Sequence, residues 1–354
     1  MRPRPLFGLA VATALLVTGC SGGADGAAKS TDTKASSDPA AFPVTVADCA
    51  GRETVFDAAP QRIVASNASS LEMLLRLGAG DRVIGTGFPP GKGTLPPEIA
   101  EAGAKVPVLG AMVIPKEKLL GSGADLYVDT FGEMGGMGVT PSDQEYRAAG
   151  IKRAFLRSTA CAATATGPVQ DLVGVQSDIR SLGRVTGTAA RAEALVAEME
   201  QKTGAVRTAL SGLAADRRPG YFFFDFDAGT KQPMAVGNRQ VANGVITLAG
   251  ARNVFADVDA DFRPVSWEEV VARDPDWIQL GVRNRGSEAE TRAAYEEAEK
   301  FLREFPATRD LKAVRGGHFV RVGSELTTIA GTRNADTVRQ IAAAVHPDLV
   351  KDAR

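Results

Sequence analysis

Two stretches of this chain repeat each other, and the repetition constrains the fold more than any other feature. Residues 114–128 lie without gaps over residues 265–279. Each copy reads as a short helix that begins near a capping residue, then a turn, then a buried strand opened by an aspartate, Asp125 or Asp276. Leu119/Val270 and Leu120/Val271 fall on one helical face, and Leu126/Trp277 with Tyr127/Ile278 begin the strand. A second matched piece precedes each copy, residues 77–84 and 248–255. In both, an amphipathic helix ends at a glycine, Gly78 or Gly250, where a left-handed cap costs little, and an extended segment follows. Two matched segments in the same order predict two lobes of one design.

The alternation of patterns within each half gives the fold class. In the first half, strands are predicted over 62–65, 82–86 and 126–130, with helices over 69–77 and 116–121. In the second, strands over 221–226, 277–281 and 318–322 alternate with helices over 241–249, 289–304 and 332–345. Strand and helix in alternation mean an α/β fold with mainly parallel sheets and helices on both faces. Between the halves, Val169, Leu172, Val173, Ile179, Leu182, Ala192, Leu195, Val196, Met199, Val206 and Leu210 recur at helical intervals. This predicts a long helical connector, a stiff link between lobes, with Gly183 and Gly187 as the places where one helix ends and another begins.

The amino terminus reads as an export signal. Arg2 and Arg4 supply positive charge, and the apolar run over 6–17 is too short to span a bilayer. It ends in Val17-Thr18-Gly19-Cys20, which resembles the bacterial lipobox and implies a diacylglycerol anchor on the Cys20 thiol; the alternative is cleavage to a freely secreted protein. Residues 21–41 carry no large apolar side chain and read as a flexible tether. The expected layout is therefore a signal peptide over 1–19, lipidated cysteine and tether over 20–42, a first lobe over 43–167, a connector over 168–213 and a second lobe over 214–354.

With 41 basic and 42 acidic residues and a net charge of -1, the chain lacks the basic excess that nucleic acid demands. In an oxidising compartment the remaining cysteines, Cys49 and Cys161, are expected to be bridged, the alternative being two unrelated buried thiols. They and the scattered His318 and His346 lack metal-ligand spacing, so no intrinsic metal or cofactor is expected.

Residues 59–65 (Ala-Pro-Gln-Arg-Ile-Val-Ala), 70–78, Asn243-Gly244, Val254-Phe255 and Val265-Ser266-Trp267-Glu268 resemble the periplasmic binding proteins of ABC importers for ferric siderophores, haem and cobalamin. The likeness runs roughly over residues 43–346. It implies two Rossmann-like lobes joined by one long rigid helix, a monomer, a bulky small-molecule ligand, and a permease with its ATPase as partners. It also implies a glutamate on each lobe that pairs with permease arginines; by position these are Glu72 and Glu268, against the plainer reading of solvated helix-face charges.

Ligands of open α/β sheets bind at the carboxyl ends of the strands. That rule selects Asn67, Phe88, Met112, Phe131 and Met134 from the first half, and Asp225, Phe226, Arg239, Trp267, Arg283, Arg285 and Glu325 from the second; Arg333 is a further candidate, the alternative being that its helix turns it to solvent. Arg239, Arg283 and Arg285 are candidate anchors for a carboxylate or a charged chelate. Met134 and Met137 form either an adaptable apolar surface or a plain surface loop. No cluster of His and carboxylate can hold a bare transition metal, so iron as cargo must arrive already wrapped in a chelator. A ferric siderophore is the expected ligand, with cobalamin, haem or a deazaflavin precursor as alternatives. An exported enzyme is the rival class, with Asp225 and Asp227 as its paired carboxylates, but no nucleophile elbow, zinc motif or phosphate loop supports it. A sensory lipoprotein without an importer is the other.

Overall fold

The computed structural model describes residues 42–132 and 140–351. The predicted signal, Cys20 with its tether, and Met134 and Met137 lie outside the described residues.

The first half opens on an antiparallel pair, β1 (Val44–Ala47) and β2 (Glu53–Phe56). There follow β3 (Ile63–Ala65), α1 (Ala68–Arg76), β4 (Val83–Thr86), α2 (Pro97–Ala104), α3 (Lys116–Leu120), β5 (Leu126–Asp129), α4 (Asp143–Ala148), β6 (Lys152–Phe155) and α5 (Arg157–Ala160). Strands β3 to β6 make one parallel sheet in the order β4-β3-β5-β6. After the connector come β7 (Gly220–Asp225), β8 (Met234–Val236), α8 (Val241–Leu248), β9 (Arg252–Asn253), β10 (Phe262–Pro264), α9 (Trp267–Arg273), β11 (Trp277–Gly281), α10 (Glu288–Glu304), α11 (Lys312–Gly316), β12 (Phe319–Arg321), α12 (Ser324–Thr328) and α13 (Asn334–Val345). Here the parallel sheet runs β12-β11-β7-β9, and β8 pairs with β10 beside it. Numbered within its own lobe, each parallel sheet has the order 2-1-3-4, so the sequence repeat is a repeat of topology.

The aspartate that opens the repeated strand has the same task in both lobes. Asp125 accepts the backbone N–H of Gln61 (2.7 Å) and Arg62 (2.9 Å) just before β3, and Asp276 accepts that of Gly220 (2.7 Å) at the start of β7. Each therefore ties the mouth of one strand to its neighbour, where the ladder alone leaves donors unpaired. Both faces of these sheets are covered, so β3 and β7 are apolar runs buried on both sides, with Tyr221, Phe222, Phe223 and Phe224 at or near zero exposure.

The connector is two helices rather than one: α6 (Val173–Val185) and α7 (Ala189–Ala209), broken at Thr186-Gly187-Thr188, with Gly187 at φ 69. Gly183 does not end a helix. A Cβ there would lie 2.4 Å from Ala192 Cβ, so it is the point of close approach between α6 and α7. Helix α7 is the element that spans both lobes. Glu198 pairs with Arg76 of α1 at 2.6 Å, and Lys202 pairs with Asp336 of α13 at 2.7 Å. A disulfide joins Cys49 to Cys161, 112 residues apart; closing a loop that long in the unfolded chain is worth roughly 4 to 5 kcal/mol on the chain-entropy account. Among the described residues no helix is long and apolar enough to cross a membrane, and no group of three or more metal-ligating side chains forms.

Candidate functional site

The carboxyl end of the first lobe's sheet presents an apolar wall. Phe88, in the loop after β4, has φ 32, a left-handed conformation that a bulky side chain adopts only under constraint. Two backbone bonds supply the constraint: the Phe88 N–H donates to the Met112 carbonyl (3.0 Å), and the Phe88 carbonyl accepts from the Ala68 N–H (2.9 Å). The ring is thereby aimed edge-on at Phe131, with centroids 5.4 Å apart. Phe131 is itself fixed from below, because buried Asp129 accepts the N–H of Phe131 (3.1 Å) and of Gly132 (2.8 Å); burial pushes that carboxyl above the usual carboxylate range. Met112 stands beside them, 66% exposed. Asn67, expected at this wall, is instead spent inside it. It is buried, and its side-chain oxygen caps α1 by accepting the Ser70 N–H at 2.9 Å.

The second lobe's wall is charged, and its charges are matched. Asp225 ends β7, accepts the Ser324 hydroxyl at 3.1 Å and lies 3.5 Å from Arg283. Burial pushes the Asp225 carboxyl up, against the pull of Arg283. Asp227 accepts the Arg283 N–H at 2.6 Å and pairs with the Arg285 guanidinium. Each of the two carboxylates is thus paired with an arginine. Phe226 packs at 6.1 Å from Phe224 and 6.2 Å from Phe301, half of it in the second lobe's aromatic cluster. Glu325 follows β12 on the same edge, and burial pushes its carboxyl up as well.

Two expected ligand contacts of the second lobe are structural. Trp267 is 5% exposed and sits at the first position of α9 inside a Ser266–Glu269 capping box, which turns its ring inward. It packs on Phe224 (5.3 Å), Phe305 (5.7 Å) and Phe301 (5.9 Å) and donates its indole N–H to the Thr230 carbonyl at 2.8 Å. Arg239 donates to the carbonyls of Ala163 and Ala165, both at 3.1 Å, and of Asp259 at 2.5 Å, so it staples the two lobes and is not an open anchor.

Glu72 is the largest correction. It is 6% exposed, and the Thr332 hydroxyl donates to its Oε1 at 3.0 Å. Burial raises its pKa in spite of Arg333 and Arg76 nearby. It belongs to a seam where residues 330–333 of the second lobe meet the first. Ser69 Oγ donates to the Ala330 carbonyl (2.7 Å), the Ala330 N–H donates to Thr159 Oγ1 (2.8 Å), and Arg333 donates to the Thr94 carbonyl (2.7 Å). Arg333 therefore bridges the lobes. Glu268 is exposed, as expected, and so is Glu117, which the gapless repeat lays directly over it. Glu117 is not among the residues singled out from the sequence, although the repeat sets it opposite Glu268.

The family described as periplasmic binding protein matches this chain over residues 63–326. An uncharacterised ABC transporter substrate-binding lipoprotein of Bacillus subtilis, YvrC, is 23% identical over 342 residues, 96% of either chain. A cobalamin-binding protein of Halobacterium salinarum is 25% identical over 252 residues, 68% of this chain and 59% of that one. A solved periplasmic binding protein from Veillonella parvula superposes with a TM-score of 0.73 at 25% identity, over 86% of this chain and 99% of its own. With two matched parallel lobes and a family match over most of its length, the chain belongs to the periplasmic binding protein family.

Proposed function

We propose that this protein is the extracytoplasmic solute-binding lipoprotein of an ABC importer, anchored through Cys20, which holds a ferric siderophore-type chelate between its lobes and delivers it to a permease. The observation that carries the reading is the pair of unlike walls at the carboxyl ends of two matched sheets. One is apolar, built on Phe88, Phe131 and Met112, with Phe88 held in a left-handed backbone conformation. The other is polar, built on Asp225, Asp227, Arg283 and Arg285. A bulky ligand with an apolar body and a polar rim fits such a groove, and an aromatic strained into place is the kind of feature that function retains. Turnover has no support in Asp225 and Asp227, whose carboxylates are committed to arginines and a hydroxyl. The cobalamin-binding relative favours a corrinoid as the second reading.

Docking on the permease falls to Glu117 and Glu268. Both are exposed near the start of the corresponding helices α3 and α9, and two carboxylates related by the repeat can fix orientation on a basic surface. The double charge reversal Glu117→Lys with Glu268→Lys is expected to abolish ligand uptake by cells while leaving the affinity of the purified protein within about twofold, since rim charges act on association with the partner. Unchanged uptake, or lost affinity, contradicts the assignment.

A further inference from the structure

The arginines on the second lobe's side of the groove are all committed. Arg239 is held by three carbonyls, Arg283 faces Asp225 at 3.5 Å, Arg285 is paired with Asp227, and Arg333 donates to the Thr94 carbonyl at 2.7 Å. One carboxylate oxygen is left over. Oε2 of Glu325 is buried, and no hydrogen-bond partner meets it among the described residues. Glu325 lies four residues beyond the end of β12, on the strand edge that also carries Asp225 and Arg283, and both act on it electrostatically, as does Arg333. Its carboxylate folds back over Gly323, where a Cβ would lie 3.0 Å from Oε1. The space that a side chain would fill is occupied by the carboxylate instead.

Four carboxylates (Asp225, Asp227, Asp259, Glu325) thus stand with four guanidiniums (Arg239, Arg283, Arg285, Arg333), and the wall offers no surplus positive charge. A strongly anionic ligand gains little from an arginine that already serves a carboxylate, and it must also approach Glu325 with like charge. A buried acceptor without a partner rewards any donor that reaches it.

We propose that the groove selects a neutral or cationic ligand, and that Glu325 receives an amine or amide N–H from it. This deepens the transport reading and rests on it. Among bulky chelates the chemistry fits a ferric tris-hydroxamate, above all one with a free amine, or an amide-rimmed corrinoid. It disfavours a ferric tris-catecholate and haem, whose rims carry negative charge.

The test is calorimetric titration of the purified full-length protein in detergent with five ligands: a ferric tris-hydroxamate bearing a terminal amine, the same chelate with its amine acetylated, cyanocobalamin, a ferric tris-catecholate, and haem. A hydroxamate or the corrinoid should bind at least about tenfold tighter than either anionic ligand. Glu325→Gln, which keeps the side chain's shape, should weaken that ligand by roughly tenfold to a hundredfold, the worth of a charge-assisted bond, with the thermal midpoint unchanged. Tightest binding of the tris-catecholate or haem overturns the proposal, as does a Glu325→Gln variant with every affinity intact. If none of the five binds, the transport reading falls first and this inference with it.

Discussion

The seam between the lobes can be broken with one methyl group. Gly331 faces Ser69 of α1 so closely that a Cβ added to it would lie 2.2 Å from Ser69 Oγ but 3.5 Å from Ser69 Cβ. Gly331→Ala must therefore rotate the serine, which ends its 2.7 Å bond to the Ala330 carbonyl. Ala330 is fully buried, so its carbonyl is left unsatisfied, at a cost of about 1 to 3 kcal/mol. Restricting the unfolded chain returns about 0.4 to 1 kcal/mol, and the net loss is roughly 1 to 2 kcal/mol. Ser69→Ala loses the same bond and should cost a similar amount. In the Ser69→Ala background, however, the Cβ at 331 meets only an ordinary van der Waals neighbour, so the second substitution should be free or slightly stabilising. The double-mutant cycle, read by urea unfolding, should show a coupling of about 2 kcal/mol, well beyond the additivity of independent sites. Losses that add to within about 0.5 kcal/mol would refute the clash.

Two further outcomes are expected. Asp178 is buried and accepts the N–H of Arg157 and Ser158, each at 2.9 Å, yet burial outweighs these bonds and lifts its carboxyl from an ordinary 3.8 to about 6. The folded chain therefore holds a proton that the unfolded chain releases, and this contribution to stability, full below the unfolded value, is lost as pH rises through the folded one. Between pH 5 and pH 8 the loss is about 1.4 kcal/mol, and Asp178→Asn, which cannot titrate, should narrow its stability deficit to the wild type by that amount; parallel urea-unfolding profiles of the two proteins would contradict it. Separately, Cys20→Ser should move the protein from the membrane fraction to the medium, and retention after the change would remove the lipid anchor.

What could be read from the sequence was whatever depends on period and repetition. Strand β11 coincides with the expected run, and α1, α8, α10 and α13 fall within about two residues of the reading, because their apolar faces are continuous. The pieces not anticipated are those whose structure is set by neighbours. Strand β6 is Lys-Arg-Ala-Phe with only Ala154 buried, an edge strand whose Arg153 is held by Asp129 and Asp143 and which so lacks an apolar signature. Strands β1 and β2 are four residues each and are held beside a disulfide whose partner lies in α5's wake, information that no local window contains. The connector's apolar spacing fits one helix or two; Gly187 marks the break, and the packing of Gly183 against Ala192 shows where α6 meets α7.

The site was legible as an edge and not as a set of side chains, and the glutamates show why. Glu72 and Glu268 are matched by their position near the start of a helix in each lobe, but they stand on helices of different kinds. Helix α1 follows the first strand of its lobe and buries six consecutive residues, Ser70 to Leu75, as its counterpart α8 buries Val241 to Ile246. A charge on such a helix faces protein on every side, and Glu72 is tolerable only because Thr332, Arg333 and Arg76 receive it. Helices α3 and α9 instead touch the core through one or two residues, Leu119 in the first, Trp267 and Val270 in the second, and leave the rest of their surface to solvent. A surface that must present one carboxylate from each lobe to the same partner can be built from α3 and α9, which the repeat makes equivalent, and cannot be built from α1 and α9, which it does not. Topology, more than proximity to a motif, decides which glutamate a partner can reach.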